Sequence, residues 1–159
     1  HEVFSRHDSL GYQVNLLARL LEQTLRRRIA GYGVVPGQFP ALLALYEREG
    51  LTQAELSRLV RIEQPTMANT LGRMQRDGLV RRDPVERRQR DPDPADGRRS
   101  LIRLSDRARD LERSLVAAAN TVNAEATAGL TAAETATLMD LLNRVIEQLD
   151  ATRRTEEES

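Results

Sequence analysis

Five side chains within one short stretch, Gln64, Thr66, Asn69, Thr70 and Arg73, carry the hydrogen-bonding groups that read the edges of bases. Amides suit adenine N6 and N7, and a guanidinium suits guanine or a phosphate. Arg81, Arg82 and Arg103 stand further along and have the chemistry to hold a nucleic-acid backbone in register. The five would equally make an ordinary solvated helix face. What decides between these readings is the set of elements that must position them.

Thr52 followed by Glu55 forms a capping box, because the hydroxyl accepts from an early backbone N–H while the carboxylate reaches back to the cap's own N–H. A helix therefore starts at Thr52, with Leu56, Leu59 and Val60 at helical spacing. Pro65 is tolerated in the first turn of a second helix, where its missing N–H would have no partner. In that helix Met67, Leu71 and Met74 make a narrow apolar stripe, and the five polar residues fall largely on the other side. Gly78 is placed to stop it in a left-handed conformation. Leu79-Val80 then begins an extended segment, and Ser100 to Leu104 supplies the return strand. The two strands form a β-hairpin wing around an Arg-rich loop, and Ser105 caps the next helix. Two short helices with hydrogen-bonding residues outward on the second, followed by a wing, is the layout of a DNA-reading helix-turn-helix.

The joint order of Thr52-Gln-Ala-Glu-Leu, Gln64-Pro-Thr, Asp77-Gly-Leu-Val, Asp93-Pro-Ala-Asp-Gly-Arg98 and Leu101-Ile-Arg-Leu-Ser105 resembles the winged helix-turn-helix of the multiple-antibiotic-resistance regulator (MarR) family. The resemblance is close from 51 to 105 and extends to the flanking helices in layout only. It implies a ligand-responsive transcriptional regulator, with repression of an inverted-repeat operator by a homodimer as the leading expectation. Arg98 matches the family's wing arginine, which would enter a minor groove, with Asp96 orienting the loop and Arg99 on a phosphate. Family effectors are small aromatic or lipophilic compounds held between the terminal helices and the winged lobe. Tyr12, Leu16, Phe39, Leu43 and Tyr46 could line such a space, or be core.

Composition agrees with one domain over 1–159 that is mainly α with a small β-hairpin wing: a winged lobe at 35–105, and dimerisation helices at 9–29 and 105–153. The formal charge is zero, yet the stretch from Thr52 to Ser105 holds 12 Arg against 8 acids, leaving the remainder at −4. All 24 basic residues are arginine, which a GC-rich genome would also produce. There is no cysteine, so no disulfide framework, thiolate metal site or cysteine-based peroxide sensing is expected. The two histidines, His1 and His7, have no ligand cluster around them. With no Gly-rich phosphate loop and no nucleophile–base set, we expect neither enzyme activity nor a cofactor. The apolar runs fall short of a membrane span, and a cytoplasmic protein is expected. The competing class is a winged-helix module that binds protein rather than an operator.

Around the winged core, Leu10, Val14, Leu17, Leu21 and Leu25 predict a helix from Ser9 to Ile29, stopped by Gly31 and Gly33. The next helix should start between Val35 and Pro40, with Pro40 adding a second break; Val35 stands where the family usually has serine or threonine. Ala108 to Ala126 traces another helix, ending before Gly129. Thr131 and Glu134 form a second capping box, opening a last helix to about Arg153, with Glu156 to Glu158 expected as a loose acidic tail. The wing is unusual: Arg-Asp-Pro occurs at 82–84 and again at 90–92, as if about eight residues had been duplicated. The prolines at 84, 92 and 94 favour a mobile loop over an extended ladder, and Arg87, Arg88 and Arg90 would add phosphate contacts.

Overall fold

The computed structural model describes residues 3–84 and 100–159. The element order is α1 (Leu10–Ile29), α2 (Phe39–Glu47), α3 (Gln53–Val60), α4 (Gln64–Arg76), β1 (Val80–Pro84), β2 (Ser100–Leu104), α5 (Asp106–Ala126) and α6 (Ala132–Glu158). Short 3₁₀ turns precede α1 and lie at Ala30–Tyr32 and Pro36–Gln38. The chain divides into two units, His1–Ala119 and Asn120–Ser159, with α5 beginning in the first and ending in the second. Among the described residues the fold is thus mainly helical with one two-stranded antiparallel hairpin, as the sequence patterns require. Among the described residues no single helix is long and apolar enough to cross a membrane.

The first unit is built on one hydrophobic core. Phe39, Leu42 and Leu45 of α2, Leu56 of α3, Met67, Leu71 and Met74 of α4, Ile102 and Leu104 of β2, and Ala108 and Leu115 of α5 are all buried in it. Leu51 extends the sheet by one isolated bridge, its carbonyl accepting from the Ile102 N–H at 2.7 Å. The register pairs Val80 with Leu104 and Arg82 with Ile102 on the core side of the hairpin, and Arg81 with Arg103 on the other.

Local chemistry explains the boundaries. The Ser9 hydroxyl accepts from the Tyr12 N–H and starts α1, and Gly33, at φ +71, turns the chain after the 3₁₀ turn that follows it. Val35 cannot supply a capping hydroxyl, but the Gln38 side-chain oxygen accepts from the Val35 N–H at 3.1 Å and keeps half of a capping box. Pro40 does not break α2 as expected: it lies in the first turn, where no amide hydrogen is needed. Pro84 and Asp83 also depart from expectation, because both belong to the ladder, opposite Ser100 and Leu101. Pro84 is the last residue of β1, where a missing donor costs least. The rest of the inserted segment, with Arg87, Arg88 and Arg90, lies outside the described residues.

In the second unit the Thr131–Glu134 box is formed in both directions, at 2.9 and 3.1 Å, and holds the Glu134 carboxyl below the usual range. The helix it opens runs to Glu158, past the expected end near Arg153. An Arg153–Glu157 pair one turn apart supports the last turns, offsetting the unfavourable placement of acids at a helix C-terminus. No residue of α6 is buried, and Leu138, Leu141, Val145 and Leu149 form an exposed apolar stripe along it.

Candidate nucleic-acid interface

The helix-turn-helix is held by its caps and its inner face. The Thr52 hydroxyl accepts from the Glu55 N–H at 3.1 Å, and the Glu55 carboxylate accepts from the Thr52 N–H at 3.3 Å. Arg61 ends α3 in the left-handed region at φ 58, which turns the chain into α4 within three residues. That geometry is uncommon for a residue with a side chain, and nothing in the local sequence advertised it. Met67, Leu71 and Met74 are completely buried, fixing the rotation of α4 about its own axis. Gln64, Thr66, Asn69 and Arg73 are consequently exposed, while Thr70 is half-buried at the edge of the face.

Gln64 is not isolated. The Gln53 side-chain amide, at the start of α3, donates to the Gln64 side-chain oxygen at 3.3 Å. Arg73 sits 3.9 Å from the Asp77 carboxylate one turn later. Asp77 is itself held by the buried Gln38, whose NH₂ donates to it at 2.8 Å. The C-terminus of α4 closes with the Gly78 turn: the Leu79 N–H donates to the Met74 carbonyl and the Gly78 N–H to the Gln75 carbonyl, satisfying two otherwise open acceptors. Arg107 of α5 adds a bridge, one nitrogen donating to the Asp77 carbonyl and the other to the Tyr32 carbonyl at 2.6 Å. The polar face of α4 is therefore anchored at both ends by residues outside it. Gln53, Asp77 and Arg107 escaped the sequence reading because their partners lie far away in the chain or belong to the backbone.

On the hairpin, Arg81 and Arg103 face each other across the ladder. Asp83 joins them, one carboxylate oxygen 3.3 Å from Arg81 Nε and the other 3.0 Å from Arg103 Nε. The Arg103 guanidinium also packs against Gly50, where a Cβ would stand 3.5 Å from it. Arg82 is half-buried on the opposite, core-facing side. Arg98, Arg99 and Asp96 lie outside the described residues.

Behind the hairpin, Glu49 accepts from the Leu104 N–H at 2.8 Å and from Arg109 at 2.8 and 3.1 Å. Burial works to raise the Glu49 pKa, but the hydrogen bonds from Arg109 and Leu104 and the charges of Arg109 and Arg103 outweigh it and hold the carboxyl below its usual value. These groups border a cavity of about 420 Å³ lined by Leu45, Tyr46, Glu47, Glu49, Leu104, Arg109 and Glu112.

The five residues considered for an effector space are not brought together as a set. Phe39 is core, at 5 % exposure. Tyr46 donates its hydroxyl to the Ala108 carbonyl at 2.7 Å and is the only one of the five lining that cavity. Tyr12 and Leu16 are half-buried on α1, with Arg6 over the Tyr12 ring at 5.7 Å, and Leu43 is exposed on α2. Among the described residues there is no cluster of three or more His, Cys, Asp or Glu able to hold a metal ion.

The model for the MarR family matches residues 32–99, which includes the Thr52 cap, α3, α4 and β1 and ends just before β2. The chain is 30% identical over 78 residues to YwoH, an uncharacterized HTH-type transcriptional regulator of Bacillus subtilis (strain 168); the match covers 49% of this chain and 56% of that protein, about half the length of this curated relative. A probable transcriptional regulator from Pseudomonas aeruginosa is 30% identical, with 89% of this chain and 99% of that one covered at a TM-score of 0.75. The PcaV transcriptional regulator from Streptomyces coelicolor, in complex with its natural ligand, is 27% identical, with 92% and 98% covered and the same TM-score. A mutant MarR from E. coli, complexed with operator DNA, shares the fold at 23% identity, with 91% and 99% covered and a TM-score of 0.76.

Proposed function

Because the chain belongs to the MarR family of transcriptional regulators, we propose that it binds operator DNA in a sequence-specific manner as a homodimer and acts as a ligand-responsive repressor. The observation that carries this reading is the division of α4 into a fully buried stripe, Met67, Leu71 and Met74, and an exposed polar face free of acid. A helix rotated in this way presents Gln64, Thr66, Asn69 and Arg73 to a major groove, with Thr70 at the edge. Arg81 and Arg103 then hold the sugar–phosphate backbone, with Arg82 behind them on the core-facing side of the hairpin, and Arg98 and Arg99 extend the contact from the wing. Residues 35–105 act as the DNA-binding lobe of a cytoplasmic regulator, not an enzyme.

Two exposed apolar stripes support the dimer. Leu10, Val14 and Leu17 lie along one face of α1, and Leu138, Leu141, Val145 and Leu149 along one face of α6. Together with α5 these helices, at 9–29 and 105–153, form the subunit contact. Two-fold symmetry would set the recognition helices about 34–36 Å apart, on successive major grooves of an inverted repeat. A small aromatic or lipophilic effector completes this reading, and of the five candidate residues Tyr46, which borders the cavity, is the one placed to meet it; the ligand-bound PcaV relative motivates this part of the reading.

The test is to incubate the purified protein with genomic fragments, sequence those it retains, and footprint the best. An inverted repeat protected over two half-sites is expected, with dimer mass by light scattering at micromolar concentration. Protection of a single asymmetric half-site would refute the two-fold arrangement. Duplex affinity that ignores salt would instead favour the protein-binding module.

A further inference from the structure

Arg81 and Arg103 are directly opposed across the hairpin, an arrangement that is destabilising for like charges unless something lies between them. Asp83 lies two residues along the same strand and therefore on the same face, and each of its oxygens takes one of the two arginines, at 3.3 and 3.0 Å. The three side chains are 37–54 % exposed, so solvent, and any polyanion, can reach them. A carboxylate placed in this way competes with phosphate for the same guanidinium groups. We infer that Asp83 is a specificity-determining residue, an internal stand-in for phosphate that holds Arg81 and Arg103 in place and withholds them from indiscriminate contact with duplex DNA. This rests on the DNA-binding reading of the hairpin.

The physical reason is charge. With Asp83 ionised the trio carries a net charge of +1; with a neutral isostere it carries +2, and the nearer guanidiniums are free to pair with phosphate. Phosphate contacts contribute affinity for every sequence alike, whereas the α4 face contributes only on the right one. Removing the carboxylate should therefore raise affinity for random duplex more than for operator, and narrow the ratio between them.

The experiment compares the wild-type chain with Asp83→Asn on a random-sequence duplex and on a fragment recovered from the genomic selection, across a range of salt. Each phosphate contact steepens log K against log salt by about 0.9, so one freed arginine makes the variant-to-wild-type affinity ratio on random duplex grow about 3.5-fold for every fourfold fall in salt. Asp83→Asn with Arg81→Ala should lose most of that gain, and Asp83→Ala, which also lacks the carboxylate, should keep it. Thermal unfolding of each variant shows whether the hairpin is intact; a purely structural role would lower stability without steepening the salt slope. If the wild type has a normal salt slope and Asp83→Asn leaves it unchanged, or lowers affinity for both duplexes equally, the inference is overturned while the DNA reading stands. If the wild type itself has no salt-dependent duplex affinity, both fall together.

Discussion

Gly33 and Gly78 share a left-handed conformation, at φ +71 and +72, but differ in what surrounds them. A Cβ at Gly78 would meet nothing within 4 Å, whereas one at Gly33 would stand 2.6 Å from the nearer Arg107 guanidinium nitrogen. Alanine at Gly78 should therefore cost only backbone strain, about 1–2 kcal/mol, less part of the about 0.4–1 kcal/mol gained by restricting the unfolded chain: about 1 kcal/mol net. Alanine at Gly33 carries the same strain and also pushes Arg107 off the Tyr32 carbonyl and away from the Asp77 carbonyl. Charged hydrogen bonds contribute about 1.5–3 kcal/mol each when shielded. For an exposed guanidinium that can partly relocate, one bond at the low end is the reasonable loss, bringing Gly33→Ala to about 2.5 kcal/mol. Urea unfolding at fixed protein concentration reads both, and for a chain of this size the difference is about 3–6 °C in Tm. In an Arg107→Ala background the excess at Gly33 should vanish, a coupling of about 1.5 kcal/mol. Equal costs at the two glycines, or additivity with Arg107→Ala, would refute the reasoning.

Asn69→Ala should relax base choice at one position per half-site by about 1–3 kcal/mol, read by competition among single-base operator variants; an equal loss on random duplex would exclude direct readout. Gln53→Ala should lower discrimination at the base facing Gln64 while leaving its neighbours unchanged, since it frees the Gln64 amide to rotate. Burial, reinforced by the Glu112 charge, pushes the Tyr46 hydroxyl from 10.0 up to about 12. A folded pKa above the unfolded value means that this contribution to stability is fully present below pH 10 and is lost as pH rises toward 12; Tyr46→Phe should flatten that alkaline limb of the stability profile. Deleting residues 83–90 gives the same chain as deleting 85–92, because Arg-Asp-Pro is repeated, so the Asp83–Pro84 end of β1 is kept in effect. That chain should fold, and its salt slope should flatten by about 0.9 for each phosphate it no longer neutralises.

What could be read from the sequence was what depends on near neighbours. The Thr52–Glu55 and Thr131–Glu134 boxes join residues three apart and formed as read, and the Gly78 turn needs only a residue without a Cβ. The buried and exposed sides of α4 followed from a period of 3.6 acting on a one-sided stripe. The failures share a different origin. Pro40 and Pro84 were read as breaks from residue type, yet each sits at an element end where the missing N–H is harmless. For Phe39 and Tyr46 residue type left pocket lining and core both open; Phe39 is buried in the core and Tyr46 bonds the Ala108 carbonyl. Gln38, Asp77, Arg107 and Asp83 work through partners that are distant in the chain, across the ladder or on the backbone, and no periodicity records those.

Ser105 has a consequence for how this chain can change over generations. Its hydroxyl donates to the Gly78 carbonyl at 2.6 Å and accepts from the Ala108 N–H at 3.1 Å, while its own N–H donates to the Leu79 carbonyl at 2.9 Å. The base of the hairpin is thereby latched to the turn after α4 and to α5 whatever the length of chain beyond Pro84. Doubling a connection adds only about 0.6 kcal/mol of closure entropy, and the extra stretch of about eight residues roughly doubles this one. Insertions or deletions in this connection would thus change its length at little cost to folding. The latch makes the length of the connection after Pro84 a place where heritable variation can accumulate while the core is left alone.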